Sequence, residues 1–225
     1  MARTTKNVLG NQSGRIGQVV GMITDGVQLY RSYTDRVRNP RTKAQQLTRA
    51  KLGEFSLVAR GFKSAIALGF KNSRKPLESV QNVFIRKNQS AMQGDTPSEV
   101  MFDYTQAKIS EGSAVMPGFS SIRADEALEV EVTFIPNSDI PGASARDKVY
   151  LCAFQPDTKA CVLSDATLRS AGNVAINVPS GWSGMRVHGY GFVVAAEDVY
   201  DTNGVKLTSA GECSATAYLG SIAIV

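Results

Sequence analysis

Two short apolar runs, Val19–Ile23 and Val27–Tyr30, flank the dipeptide Asp25-Gly26 near the start of the chain. A type I′ turn needs φ > 0 at both central residues, and Asp-Gly tolerates this, so the pattern predicts a β-hairpin. Val27, Leu29 and Tyr33 share one face of its second strand; Gln28, Tyr30 and Ser32 share the other. A two-stranded hairpin is marginal alone and needs a surface to lie on. After Asn39-Pro40 the apolar period lengthens. Ala44, Leu47, Phe55, Val58, Phe62 and Ile66 follow steps of three and four if Lys51 snorkels at one of them, which predicts a long helix. Asn39 is its expected cap and Pro40 its expected first residue. Gly53, Gly61 and Gly69 predict close helix packing, or a break near Gly61. Pro76 is expected to open a second helix carrying Leu77, Val80, Phe84 and Ala91, the pair forming a helical hairpin on the β-hairpin.

Beyond Val100 the period falls to two. Leu128, Val130, Val132 and Phe134 point one way, and Glu129, Glu131 and Thr133 the other, so this strand has one solvated face. Further strands are expected at Lys148–Phe154, Ala160–Leu163, Val174–Val178, Met185–Ala196 and Ala215–Val225. Six or seven strands punctuated by turns predict an immunoglobulin-like antiparallel β-sandwich, without the Cys…Trp…Cys spacing of antibody domains. The expected class is therefore α+β: an N-terminal β-hairpin plus helical hairpin, then the sandwich. The change of period places a hairpin/helix assembly module at 1–93, a linker at 94–119 and the sandwich at 120–225. The polar stretch 1–13 reads as an arm that orders against a neighbour.

Charge sharpens this division. Residues 1–90 carry 17 Lys/Arg against 4 Asp/Glu, a net of +13, whereas residues 91–225 carry 8 against 16, a net of −8. A basic module beside an acidic one points to a polyanion, an acidic protein surface or a neighbouring copy as partner. Arg31, Arg36, Arg38, Arg41 and Lys43 are the candidate partner-binding residues. Arg41 and Lys43 in a first helical turn oppose the helix dipole, a placement that an anionic partner would offset. Tyr30 and Tyr33 are too few aromatics for a single-strand binding platform. No apolar run approaches the ~20 residues of a membrane span, and residues 1–14 lack the apolar segment of a secretory signal, so neither a membrane partner nor general export is expected.

Catalytic signatures are sparse. His188 is the single histidine, on an alternating strand; Ser183 and Asp198 lie near it in sequence, but no Gly-x-Ser-x-Gly elbow exists. There is no phosphate-binding Gly-rich run and no HExxH. Gly189–Phe192, "GYGF", lacks the leading basic residue of an RNA-binding strand. Asp198, Asp201 and Asn203 are the best Ca²⁺ candidates, without the spacing of an EF-hand. Cys152, Cys161 and Cys213 form no CxxC, and with His188 they lack the familiar spacings of a zinc site, so none is expected. Cys152 and Cys161 flank the turn-like Gln155–Thr158, where they either pair across a hairpin or serve as small apolar groups; the absence of an export signal favours free thiols. The expectation is a non-enzyme with no cofactor and no metal.

The Gly-rich hairpin start "GRIGQVVG", the run "NPRTKAQQLTR", and later "LRSAGNVAINVPSGWSG" with the closing "AYLGSIAIV" resemble a family of uncharacterised proteins from Bacteroidetes and the phages and prophages that infect them. The resemblance spans nearly the whole chain. It implies a bacteriophage virion component or prophage product, with a crAss-like gut phage as one source, found in the virion or in host cytoplasm before assembly. Its partners would be copies of itself and other virion proteins. Family members carry a Lys/Trp-rich hairpin tip; here the tip is Thr24-Asp25-Gly26-Val27. The alternatives are a nucleic-acid-binding module built on the basic half, and a carbohydrate-binding sandwich.

Overall fold

The computed structural model describes residues 2–4, 10, 12–36 and 39–225. The chain divides into two compact units, Met1–Thr42 with Lys75–Leu77, and Lys43–Arg74 with Glu78–Val225.

The first unit is a four-stranded antiparallel sheet in the order β1-β4-β3-β2, formed by β1 (Ala2–Thr4), β2 (Gly14–Ile16), β3 (Val19–Thr24) and β4 (Val27–Ser32). The hairpin forms as its sequence predicts: Asp25 and Gly26 have φ of 49° and 74°, as the turn requires. Both hairpin edges are occupied. Ala2–Thr4 pairs with β4, so this part of the expected arm is a strand of the same chain, and Gly14–Ile16 pairs with β3.

The second unit has three layers. The helical layer holds α1 (Lys43–Gly61), α2 (Lys63–Gly69) and α3 (Val80–Lys87). The break near Gly61 occurs as expected. Gly61 also permits a close approach, because a Cβ there would stand 2.8 Å from the Phe154 ring and overlap the carbonyl of Lys159. The helix starts differ from expectation. Arg41 adopts φ 52° and α1 begins only at Lys43, so Asn39 and Pro40 lie outside it. Leu77 adopts φ 65° and α3 begins at Val80, where the Ser79 hydroxyl accepts a hydrogen bond from Asn82 N–H at 3.2 Å. Pro76 therefore precedes the cap rather than opening the helix.

The middle layer is an antiparallel sheet ordered β10-β9-β13-β16, with β11 also paired to β9; its strands are β9 (Lys148–Gln155), β10 (Ala160–Leu163), β11 (Thr167–Leu168), β13 (Arg186–Val194) and β16 (Ala217–Ala223). The third layer is β12-β8-β7, formed by β7 (Gly118–Phe119), β8 (Glu129–Ile135) and β12 (Asn173–Asn177). Short ribbons, β5 (Met92–Gln93) with β6 (Met101–Phe102) and β14 (Val199–Tyr200) with β15 (Lys206–Thr208), complete the unit. In chain order the two facing sheets follow the strand arrangement of an immunoglobulin-type sandwich.

Alternation along β9 and β13 creates two cores. Val149, Leu151, Ala153, Val187 and Val193 join Val130, Val132, Val174 and Ile176 between the sheets. Cys152, Phe154, Tyr190 and Phe192 face the helices and meet Phe62, Ile66 and Phe84. Phe62 stacks on Phe154 at 4.1 Å and meets Tyr190 edge-on at 5.4 Å. The helices thus belong with the sandwich, which moves the boundary from Gly94 to Thr42 and corrects the expected 1–93 module. The expected linker at 94–119 is also fixed structure. Phe102, Ala107 and Ile109 are buried. The Asn88 side chain donates to Lys108 O at 2.8 Å and accepts from Lys108 N at 2.7 Å.

Candidate functional site

The first unit is unusual in how little it buries. Register places Ile16, Val19, Ile23, Gln28 and Tyr30 on one sheet face, with Arg15, Val20, Met22, Leu29 and Arg31 on the other. Leu29 is its only large apolar side chain below one-tenth exposure among the described residues, while Ile16, Val19 and Ile23 are 53, 41 and 43% exposed. Gln28 is buried and behaves as a rung of the ladder. Its Oε1 accepts from Gln12 N–H at 2.8 Å, and its Nε2 donates to Gln12 O at 2.7 Å. That crossing explains Gly21, where a Cβ would stand 2.9 Å from Gln12 O.

Of the five residues proposed to bind a partner, Arg31, Arg36, Arg41 and Lys43 are exposed and Arg38 lies outside the described residues. Arg31, Arg36 and Arg41 belong to the first unit; Lys43 starts α1 in the second. Arg31, Arg36 and Lys43 make no ion pair among the described residues. Arg15, which sequence reasoning passed over, is an engaged cation of this sheet. Its guanidinium lies 3.5 Å from the centre of the Tyr33 ring and 3.7 Å from the Asp35 carboxylate. Its position two residues before Gly17, whose carbonyl its Nε reaches at 2.9 Å, was the available signal.

The residues considered for chemistry have structural partners. His188 Nδ1 lies 2.9 Å from the Tyr218 hydroxyl, and burial, with Arg186 nearby, pushes its pKa down. Asp198 accepts from Lys206 Nζ at 2.8 Å and Ala210 N–H at 2.7 Å; Asp201 accepts from the N–H groups of Asn203 and Val205. These carboxylates stabilise turns. The "GYGF" glycines are packing devices: Ile122 lies against Gly189 and Phe119 against Gly191, while Tyr190 and Phe192 face the helices. Among the described residues no group of three His, Cys, Asp or Glu side chains is placed to hold a metal ion, and no helix is long and apolar enough to cross a membrane.

One buried charge went unread in the sequence. Arg169 has no exposed surface; it pairs with Asp147 at 3.1 Å and donates to Pro136 O at 2.9 Å and to Val115 O. Asp147 also accepts from Ser144 N–H at 3.0 Å and Ala196 N–H at 3.1 Å. The pair ties four loops at one end of the sandwich, and with both carboxylate oxygens of Asp147 hydrogen-bonded its desolvation is offset.

A family model described as a family of unknown function (DUF6266) matches residues 11–207. The chain belongs to that family. No curated protein and no solved structure matches it.

Proposed function

We propose that the chain is a non-enzymatic structural protein that assembles through its N-terminal sheet, as a component of a bacteriophage particle. The observation that carries this reading is the imbalance of the first unit: four strands with, among the described residues, one well-buried large apolar side chain, an apolar stripe of Ile16, Val19 and Ile23, and two short outer strands. Such a sheet gains from a covering surface, and its outer strands offer backbone groups for strand addition. Arg31 and Arg36 would steer the approach of an acidic surface, with more effect on orientation and rate than on affinity. The phage setting rests on the motif resemblance.

Mass photometry of the wild type and of a Val19→Asp/Ile23→Asp variant, across salt and with particle fractions, tests the reading. The wild type is expected in oligomers or with the particle, and the variant as a folded monomer. A wild type that stays monomeric and is never recovered with a particle overturns the proposal. A monomer that binds DNA with a steep salt dependence favours the nucleic-acid alternative, for which the exposed, unpaired Arg31, Arg36 and Lys43 are the supporting observation.

A further inference from the structure

The second unit holds a thiol pair on its middle sheet. Cys161 sits on β10 opposite Phe154, and Cys152 on β9 opposite Leu163. The two cysteines therefore occupy one sheet face as diagonal neighbours. They differ in setting. Cys152 is fully buried in the helix-side core, whereas Cys161 is half-buried on the outer strand of the sheet. The Ser64 hydroxyl lies 3.6 Å from the Cys161 sulfur. Cys213, the third cysteine, is buried, and its thiol reaches the Leu68 carbonyl at 3.3 Å.

From this geometry we propose that Cys161 and Cys152 form a peroxide-reactive dithiol, with Cys161 as the attacking sulfur and Cys152 as the resolving one. The Cys161 sulfur shares a sheet face with the Cys152 thiol, and the Ser64 hydroxyl stands beside it. Hydrogen bonding from Cys152, then from Ser64 and Ala65, outweighs burial and brings the Cys161 thiol down to about 7. Burial pushes Cys152 well up, so it remains the proton-bearing partner. A thiolate is the nucleophilic form, and partial exposure lets a small oxidant reach it.

In the first step the Cys161 thiolate attacks one peroxide oxygen and the O–O bond breaks. The other oxygen leaves as hydroxide and is protonated to water, and Cys161 becomes a sulfenic acid. In the second, the Cys152 sulfur attacks the Cys161 sulfur. The S–O bond breaks, and the hydroxyl leaves with the Cys152 proton as water. The two thiols lose two protons and two electrons; hydrogen peroxide gains them and becomes two waters. Diagonal neighbours stand ~7–8 Å apart, against ~5.5–6 Å between Cα atoms across a disulfide, so β10 must shift along β9 to close the bridge. As the outer strand of its sheet, β10 has no strand on its far side to resist this.

The test treats the folded full chain with hydrogen peroxide, alkylates the remaining thiols after unfolding, and maps the peptides. The wild type is expected to lose the Cys152 and Cys161 thiols together, with a mass loss of two hydrogens that dithiothreitol restores, while Cys213 stays alkylatable. Cys152→Ser should stop at a sulfenic acid on Cys161 that dimedone captures. Cys161→Ser should leave Cys152 reduced. Thermal melts establish that each variant is folded, and Cys152→Ala replaces Cys152→Ser if the hydroxyl disrupts the core. The proposal fails if wild-type Cys161 stays reduced or gains oxygen without linking to Cys152. It also fails if Cys152 oxidises as fast in Cys161→Ser as in the wild type.

Discussion

The hairpin of the first unit and the β9/β13 pair of the second are both antiparallel ladders, yet they are built to opposite ends. β13 has an apolar layer on each face, and its burial is nearly continuous from Val187 to Val193. β3 and β4 alternate, and Val19 and Ile23 remain in solvent. Strand pairing is the same in both; what differs is what covers the sheet. Sheet stability comes mainly from packing on its faces; the second unit carries its own cover, while the first leaves Ile16, Val19 and Ile23 exposed.

Arg169→Ala should give the largest effect and confine it to the second unit. It leaves Asp147 charged and buried, and such broken pairs cost about 3–5 kcal/mol, readable as a lower urea midpoint. The matched change in the first unit, Arg15→Ala, removes an exposed pair and should cost ~1 kcal/mol or less. A shared midpoint loss in both variants would erase the distinction between the units.

The glycines of α1 sharpen the contrast within one helix. Gly61→Val should destabilise by about 1–3 kcal/mol, because the new side chain meets Phe154 and Lys159. Gly53 faces open space, so Gly53→Ala should stabilise by roughly 0.5–1 kcal/mol through helix propensity. Thermal melts of the two would show opposite shifts. Ser79→Ala removes the cap of α3 and should cost ~1 kcal/mol. The smallest change is expected for Ile23→Asp, within about 0.5 kcal/mol, since nothing in the described fold covers that side chain. Limited proteolysis completes the series: cleavage between Asn39 and Thr42 with the 93–118 stretch intact is expected, and the reverse pattern would restore a boundary near Gly94.

Local rules were legible wherever one face met water. Asp25-Gly26 announced the turn, and the alternation at Glu129–Phe134 announced β8 with its solvated acidic face. They misled where tertiary contacts took over. Asn39-Pro40 and Pro76 look like helix starts, but left-handed Arg41 and Leu77 follow them and postpone each helix. The change of period near Gly94 is real, yet it marks a change of element within a shared core. The packing of Phe62 on Phe154 cannot be read from either segment alone. Charge was legible as composition but not as a site: the basic residues are exposed, as expected, while the deciding ion pair, Arg169 with Asp147, was hidden among ordinary polar positions.

The position of Phe62 has a consequence for how the chain is made. Its ring is covered by Phe154 and Tyr190, and the latter is synthesised more than a hundred residues later. At the usual ~5–20 residues per second, the apolar side of α1 and α2 waits several seconds or longer for the strands that hide it. During that interval the nascent helices present Phe55, Val58, Phe62 and Ile66 to whatever is near. The ribosome-bound chain is thus a sticky intermediate whose rescue comes from its own C-terminal half, and slow translation between α3 and β13 would prolong its exposure to chaperones and to other nascent copies.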